Sequence, residues 1–189
     1  MLMRSLKTIL ILASLFLLVS CNQKENETQS SPDWKQELQS QLPLLGHRNW
    51  ILVVDKAFPL QNAKGIVYID TDEPLLEVLS YTLEQIEGAS HVKPIIYTDR
   101  ELGYMTRDLV PGIEEYRESL SGIIGESDIR VLLHDSVFVK IDEASKLFKA
   151  VVLKTNGTIP YSSVFLELDC KYWSAGKEAQ LRELMGSED

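Results

Sequence analysis

Short apolar runs alternate with amphipathic segments along most of this chain. The apolar runs are rich in β-branched residues, which is typical of strands buried in a sheet. They predict strands at residues 50–54, 65–69, 92–97, 129–133, 148–155 and 159–168. Apolar residues at helical spacing, such as Leu75, Leu79 and Leu83, lie between these runs and predict helices. The helices are expected to begin near residues 33, 74, 110 and 176, whereas residues 136–147 fit either a short helix or an irregular connection.

The last two predicted strands are separated by the clearest turn pattern in the chain. Asn156 and Gly157 lie between them, and this pair is a strong signal for a two-residue β-hairpin. Strands that alternate with helices and end in a hairpin indicate the α/β class. We therefore predict a single three-layer α/β/α domain whose mixed sheet is closed by a C-terminal antiparallel hairpin.

The first residues have the pattern of a targeting segment. Arg4 and Lys7 precede an apolar stretch at residues 9–19 that is too short to span a bilayer as a mature helix. Because small residues then lead into Cys21, we predict a lipoprotein signal peptide at residues 1–20 and acylation of Cys21, for example by palmitate. An ordinary signal peptide or a short anchor helix is the alternative. Residues 21–31 would form a flexible polar tether, and residues 32–189 the folded domain.

Composition narrows the range of partners and chemistries. The formal net charge of -9 becomes -11 once Arg4 and Lys7 are removed, and so acidic a domain does not bind nucleic acid non-specifically. With Cys21 acylated, Cys170 has no disulfide partner and is expected to be a small buried residue. The three histidines show no metal-ligand spacing, and the sequence has no P-loop or dinucleotide-binding motif. We therefore predict neither a metal nor a cofactor.

Acidic residues follow several predicted strands. Asp55 ends the run at residues 50–54, and ligands of open α/β sheets bind outside the carboxyl ends of strands. The alternative is that Asp55 only stabilises the following turn. Thr98 and Glu101 have the spacing of a helix capping box, and the acidic residues at 70–73 suit a helix start. We interpret these two later groups as helix caps.

A second pattern joins residues on both sides of the first strand. Gly46 and His47 precede it, and Asp55, Phe58 and Pro59 follow it. In this arrangement the residues resemble the N-terminal signature of the RbsD/FucU family, the ribose pyranases and fucose mutarotases. The resemblance implies an RbsD-like fold for most of the domain.

The resemblance has another anchor near the C-terminus. Tyr161 matches the tyrosine of the family's Tyr-x-Asn motif, with Ser163 where asparagine is usual. Asn49 and Lys56 also depart from the pattern, since the family usually has aspartate and alanine there. The resemblance extends from about His47 to about residue 168.

Roles for individual side chains follow from the resemblance. It implies that His47, Asp55 and Tyr161 are catalytic, and that Phe58 and Ser163 contribute to substrate binding.

Two further substrate-binding residues are suggested by the family's pattern before the last strands. His134 is the candidate for a sugar-contacting histidine. Ribose pyranases place a lysine one turn after that histidine; Phe138 stands there in this chain, and Lys140 is an approximate substitute.

The implied activity is the interconversion of anomers or ring forms of a free ribose- or fucose-like monosaccharide, an isomerase reaction that uses general acid/base chemistry and no cofactor. His47 and Asp55 are eight positions apart, up to about 26 Å in an extended chain. The resemblance therefore implies a homo-oligomer in which His47 faces Asp55 and Tyr161 of a neighbouring subunit.

The expected location is the bacterial cell envelope, with the lipid anchor in a membrane and the domain facing the periplasm or the cell surface. A lipid-anchored sugar mutarotase is the leading hypothesis. The runner-up is a non-catalytic envelope lipoprotein that uses the same fold to bind carbohydrate or to assemble, because Asn49, Lys56 and Ser163 depart from the family pattern. A lipoprotein of this class that binds no sugar is the third possibility.

Overall fold

The computed structural model describes residues 33–125 and 127–186. The strands in this part of the chain are β1 Trp50–Val54, β2 Ile66–Asp70, β3 Val92–Asp99, β4 Ile129–Leu132, β5 Ala150–Lys154 and β6 Val164–Cys170. The α-helices are α1 Trp34–Gln41, α2 Leu75–Gly88, α3 Ile113–Ile124, α4 His134–Ser145 and α5 Ala175–Met185. Short 3-10 helices span Leu42–Leu44 and Arg100–Tyr104. The predicted signal peptide, Cys21 and the whole of the predicted tether lie outside the described residues.

The six strands form one mixed sheet in the order β2-β5-β1-β6-β3-β4. All neighbouring pairs are parallel except the two that involve β6, which runs antiparallel to β1 and to β3. Val164 of β6 is opposite Val53 of β1 and Thr98 of β3. The predicted α/β class and mixed sheet are confirmed, and β6 is the strand that makes the sheet mixed.

The predicted pairing of the last two strands is wrong, since β1 lies between β5 and β6. Asn156 and Gly157 belong instead to a connection that crosses the carboxyl end of β1. The backbone N–H of Thr155 donates to the Val54 carbonyl, and that of Lys56 donates to the Gly157 carbonyl. These bonds attach the connection to β1, so the local turn pattern serves a crossover rather than a hairpin.

Side chains of β1 alternate between two apolar cores, one on each face of the sheet. Ile51 and Val53 pack in a core with residues from α1, α2 and α3. Trp50, Leu52 and Val54 pack in the other core, which α4 covers. All five side chains are buried, and each contributes on the order of 1.5–3 kcal/mol by leaving water. The predicted three-layer architecture is therefore present, with the sheet in the middle.

Helix α4 resolves the ambiguous segment after β4. Its Val137 and Ile141 are fully buried against the sheet, which explains why residues 134–145 are helical. The final helix α5 is different, because none of its side chains is buried.

Cys170, at the end of β6, is only half-buried, so the expectation of a buried cysteine is wrong. Within residues 33–125 and 127–186, no helix combines the length and apolarity needed to cross a membrane.

Candidate functional site

Polar side chains converge at one edge of the sheet. Asp55 follows β1 and Asp99 ends β3, while His134 comes two residues after β4. Because β6 is antiparallel to its neighbours, Tyr161 and Ser163, which precede it, lie at this same edge. We call Asp55, Asp99, His134, Tyr161 and Ser163 the strand-end cluster. Such an edge is where α/β sheets bind ligands.

Asp55 is held by Ser163. The serine Oγ donates to Oδ2 of Asp55 over 2.8 Å and accepts from the Asp55 backbone N–H at 3.1 Å. The other oxygen of Asp55 accepts from the N–H of Ala57 at 2.8 Å. Ser163 is 2 % exposed and orients the half-buried carboxylate; its predicted contact with a substrate stays a prediction. The bond to Ala57 lies in the turn after β1, so Asp55 also stabilises that turn, as the alternative interpretation of this residue predicts.

Asp99 and His134 form a tight pair. Oδ2 of Asp99 lies 2.7 Å from Nδ1 of His134, although the residues are 35 positions apart. The Asp99 carboxyl is completely buried, and its Oδ1 has no hydrogen-bond partner among the described residues. Burial raises the pKa of Asp99 to about 6, because a charged carboxylate is costly away from water.

Glu101 anchors the start of α4. Both of its carboxylate oxygens accept from the backbone N–H of His134, at 3.1 and 3.3 Å. A negative charge at a helix N-terminus is favourable. The capping-box interpretation is wrong, since the 3-10 helix that begins at Arg100 has no side-chain cap. Glu101 instead caps a helix that starts far along the chain, and this fixes the backbone of His134 beside Asp99.

Aromatic rings surround the imidazole of His134. The ring of Tyr161 meets it edge to face at a centroid distance of 5.1 Å, and that of Phe138 lies at 4.7 Å. Phe138 in turn stacks on Phe58 at 5.3 Å. Tyr161 has a φ of 55°, which is strained for a residue with a side chain, and it is exposed. These rings give the strand-end cluster an apolar wall next to its proton-exchanging groups.

Lys140 contacts a different group of residues. Its Nζ lies 5.6 Å from the centroid of Tyr97, whose hydroxyl donates to Glu167 at 2.6 Å and accepts from Arg130 at 2.9 Å. Lys140 also lines a cavity of about 300 Å³ with Trp50, the first residue of β1. The aromatic ring of Phe138, not a lysine, therefore faces His134.

His47 lies at the opposite edge of the sheet from Asp55, because the two residues flank β1. It is exposed and lines a cavity of about 480 Å³ together with Cys170 and Trp173. A single chain thus brings Asp55, His134, Tyr161 and Ser163 to one edge and leaves His47 at the other. That a neighbouring subunit supplies His47 stays a prediction.

Two departures from the family pattern have local explanations. Lys56 pairs with Asp70 and Asp72, at 3.7 and 4.0 Å, and so points away from Asp55. Asn49 shapes the turn before β1: its Oδ1 accepts from the N–H of Gly46 at 2.7 Å, and its Nδ2 donates to the Lys149 carbonyl. Neither residue obstructs the strand-end cluster.

The strand-end cluster differs from a metal site and lies apart from the cavity near α1 and α2. In the part of the chain that the structure describes, no group of three or more His, Cys, Asp or Glu side chains is arranged to hold a metal ion. A cavity of about 890 Å³ lies elsewhere, lined by residues of α1 and α2 and the segment up to His91. The strand-end cluster is an open edge site with acid/base groups and aromatic rings.

Asp99 is the member of the cluster that sequence reasoning missed. In the sequence it lies inside the apparent capping box of Thr98 and Glu101, although its position at the carboxyl end of a predicted strand is the same signal that singles out Asp55. The strand that ends in Asp99 pairs directly with the strand that leads to His134. Pairing of these two predicted strands would have placed both residues at one edge.

These features define an α/β protein with acid/base side chains at the carboxyl edge of its sheet. Comparison with solved structures identifies the fold. Bacillus subtilis RbsD complexed with D-ribose is similar with a TM-score of 0.51 and 19 % identity, over 70 % of this chain and 91 % of that one. The fold that the family resemblance implies is therefore present. No protein-family model and no curated protein matches the sequence.

Two further solved structures are similar at lower TM-scores. The fucose mutarotase in complex with L-fucose from Streptococcus pneumoniae has a TM-score of 0.47 and 23 % identity, over 74 % of this chain and 92 % of that one. FucU from Bifidobacterium longum has a TM-score of 0.47 and 16 % identity, over 71 % and 94 %.

Proposed function

We propose that this protein is a lipid-anchored monosaccharide mutarotase or pyranase-like isomerase whose strand-end cluster binds a free ribose- or fucose-like sugar. The observation that carries the proposal is the Asp99–His134 pair beside the exposed ring of Tyr161. It supplies a proton-exchanging imidazole next to a phenol that can bond a sugar hydroxyl. The fold similarity to RbsD in complex with D-ribose supports the same substrate class.

The reaction needs only proton transfers. One group takes the proton of the anomeric hydroxyl while another gives a proton to the ring oxygen, and the bond between the anomeric carbon and that oxygen breaks. The open-chain aldehyde rotates and recloses by the reverse transfers, which gives the other anomer or ring form. No atom or electron is gained or lost.

Roles for the side chains follow from their surroundings. Nε2 of His134 and the carboxylate of Asp55 are assigned to proton transfer, and the Tyr161 hydroxyl to hydrogen bonding with a sugar oxygen. The half-buried ring of Phe138 offers apolar surface to the C–H face of the sugar, and the buried ring of Phe58 stacks behind it. His47 is assigned to the site of a neighbouring copy in a homo-oligomer, so a monomer in light scattering at micromolar concentration would contradict that assignment.

Membrane attachment is part of the proposal. Acylation of Cys21 would hold the domain at the bacterial cell envelope, facing the periplasm or the cell surface, because several buried acyl methylenes give stable attachment. Replacing Cys21 by serine should move the protein from the membrane to the soluble fraction and abolish palmitate labelling. Unchanged fractionation would contradict the anchor.

Saturation-transfer NMR tests the proposed activity. The full-length chain is added to ribose, fucose, glucose and galactose, and magnetisation exchange between ring forms is measured. Wild type should accelerate exchange for at least one sugar, and His134→Gln should not. His91→Gln is the matched control, since Nε2 of His91 contacts the Leu45 carbonyl outside the cluster. Failure of the wild type to accelerate exchange of any sugar would refute the enzymatic function.

A non-catalytic carbohydrate-binding module is the second candidate. It is favoured by Phe138, an aromatic ring where ribose pyranases have a lysine, since a stacked wall can bind sugar without proton transfer. Calorimetric binding of one of the four sugars, with no acceleration of exchange, would select this function over the first.

A further inference from the structure

Asp99 is placed to control the two nitrogens of the His134 ring. Its Oδ2 lies 2.7 Å from Nδ1, and its side chain has no exposed surface. Nε2 has no hydrogen-bond partner among the described residues, and the histidine side chain is 34 % exposed. One nitrogen is therefore engaged inside the protein, and the other is available to a ligand.

The chemistry of a carboxylate gives this contact a direction. An ionised carboxylate only accepts hydrogen bonds, so the Nδ1 atom bonded to it must carry a hydrogen. A neutral imidazole then has its lone pair on Nε2, which can take a proton from a hydroxyl and return it. Glu101 supports the same orientation by binding the backbone N–H of His134.

We infer that Asp99 is a positioning residue that holds His134 in the tautomer and orientation in which Nε2 exchanges protons with the ligand. The catalytic consequence rests on the proposed function, whereas the tautomer does not depend on any ligand. Asp99 itself is too deeply buried to touch a sugar and acts through the imidazole.

The burial of Asp99 and the charges around it set the pH range in which the carboxylate fixes the tautomer of His134. Burial raises the pKa of Asp99 to about 6; the hydrogen bond and the charge of His134 oppose the rise, and the charges of Glu101 and Asp55 add to it. Above that pH the carboxylate is ionised and fixes the hydrogen on Nδ1.

Long-range proton–nitrogen NMR of histidine-labelled full-length protein in detergent reads the tautomer directly. At about pH 8, wild-type His134, assigned with His134→Gln, should be in the Nδ1–H form. Asp99→Asn should shift most of the population to the Nε2–H form, because the amide can donate to Nδ1. Glu101→Gln is the matched control: it alters a carboxylate that contacts the same residue at its backbone, and the tautomer should stay as in the wild type.

Each outcome decides the inference. Nε2–H in the wild type at about pH 8, or an unchanged tautomer in a folded Asp99→Asn variant, would overturn it. The wild-type spectrum alone decides if the variant does not fold. The expected tautomer in the wild type and its loss in Asp99→Asn would support it.

An activity measurement separates this inference from the proposed function. If the wild type accelerates sugar exchange, Asp99→Asn should lower kcat by on the order of tenfold or more with little change in KM, and Asp99→Glu should recover part of the loss. A rise in KM with kcat preserved would overturn the positioning role. If no sugar is exchanged by the wild type, the proposed function fails while the tautomer result still stands.

Discussion

Tyr97 and Asp99 are buried polar residues on the same face of β3, two positions apart, and their hydrogen bonding differs. The Tyr97 hydroxyl both donates, to Glu167, and accepts, from Arg130. Asp99 bonds His134 through one oxygen and leaves the other without a partner among the described residues. A buried polar group with all its bonds made is typical of a structural role, and an unsatisfied one needs an explanation. Only Asp99 lies at the edge where the strands end, which supports the proposal of a functional site at that edge.

The largest difference between these two regions should appear in activity. Asp55→Asn, at the carboxyl edge, should slow sugar exchange by about a hundredfold or more, because it removes a proton-transfer group. Tyr97→Phe should leave the rate unchanged. Saturation-transfer NMR on both variants measures this, and comparable losses in the two would contradict the assignment of the site to the strand-end cluster.

Stability of the Asp99 region should depend on pH. The folded pKa of Asp99 is raised from 3.8 to about 6, so between these values the folded state binds a proton that the unfolded state has lost. Proton binding by Asp99 therefore adds to the free energy of unfolding. This contribution is complete below about pH 4 and disappears as the pH rises through 6. The free energy of unfolding of Asp99→Asn relative to wild type should therefore rise by up to about 3 kcal/mol between pH 4 and pH 7.

Urea titrations at the two pH values measure this difference. Asp169→Asn is a suitable control, since that partly exposed carboxylate pairs with Lys93 at the surface. A constant difference between Asp99→Asn and wild type across this range would show that the Asp99 carboxyl titrates normally.

A substitution in the region around Tyr97 should lower the stability of the fold and leave the rate of sugar exchange unchanged. Tyr97→Phe leaves Glu167 and Arg130 without their shared hydroxyl and should cost about 1–2 kcal/mol. Thermal unfolding at pH 7 gives the value. A loss of sugar exchange without a loss of stability would reverse the roles assigned to the two regions.

The smallest effect is expected at Lys140. Its exposed ammonium group over the Tyr97 ring should contribute about 0.5–1 kcal/mol, and Lys140→Ala should lose no more than that. Sugar affinity should not change, because the lysine is outside the strand-end cluster. Calorimetry with the preferred sugar checks this, and a large loss of affinity would support the substrate-binding role that the family resemblance suggests for Lys140.

The sequence predicted the parts of the fold that local patterns determine. The apolar run at Trp50–Val54 is fully buried, as its β-branched composition indicated. The Asn156–Gly157 turn pattern failed because it reports only local geometry. Whether the following strand pairs with its predecessor depends on which other strand fills the space between them, and here that strand is β1.

Contacts between distant residues explain what was missed at the site. Thr98 and Glu101 satisfy a local capping pattern, yet Glu101 binds the backbone of His134, 33 positions away. The pairing of β3 with β4 creates this contact and the Asp99–His134 bond. By contrast, Asp55, Tyr161 and Ser163 were identified because they belong to recognisable motifs, and their catalytic and binding roles stay predictions.

A sugar titration followed in the histidine NMR spectrum tests the central claim most directly. His134 reports on the strand-end cluster, whereas His47 and His91 both lie at the opposite edge, where Nε2 of His91 is engaged with the Leu45 carbonyl. Adding ribose or fucose should shift the ring signals of His134 and leave those of His91 in place, and a shift of His47 would add evidence for a site shared between copies. If His134 does not respond to any monosaccharide at saturating concentration, the strand-end cluster is not a sugar site.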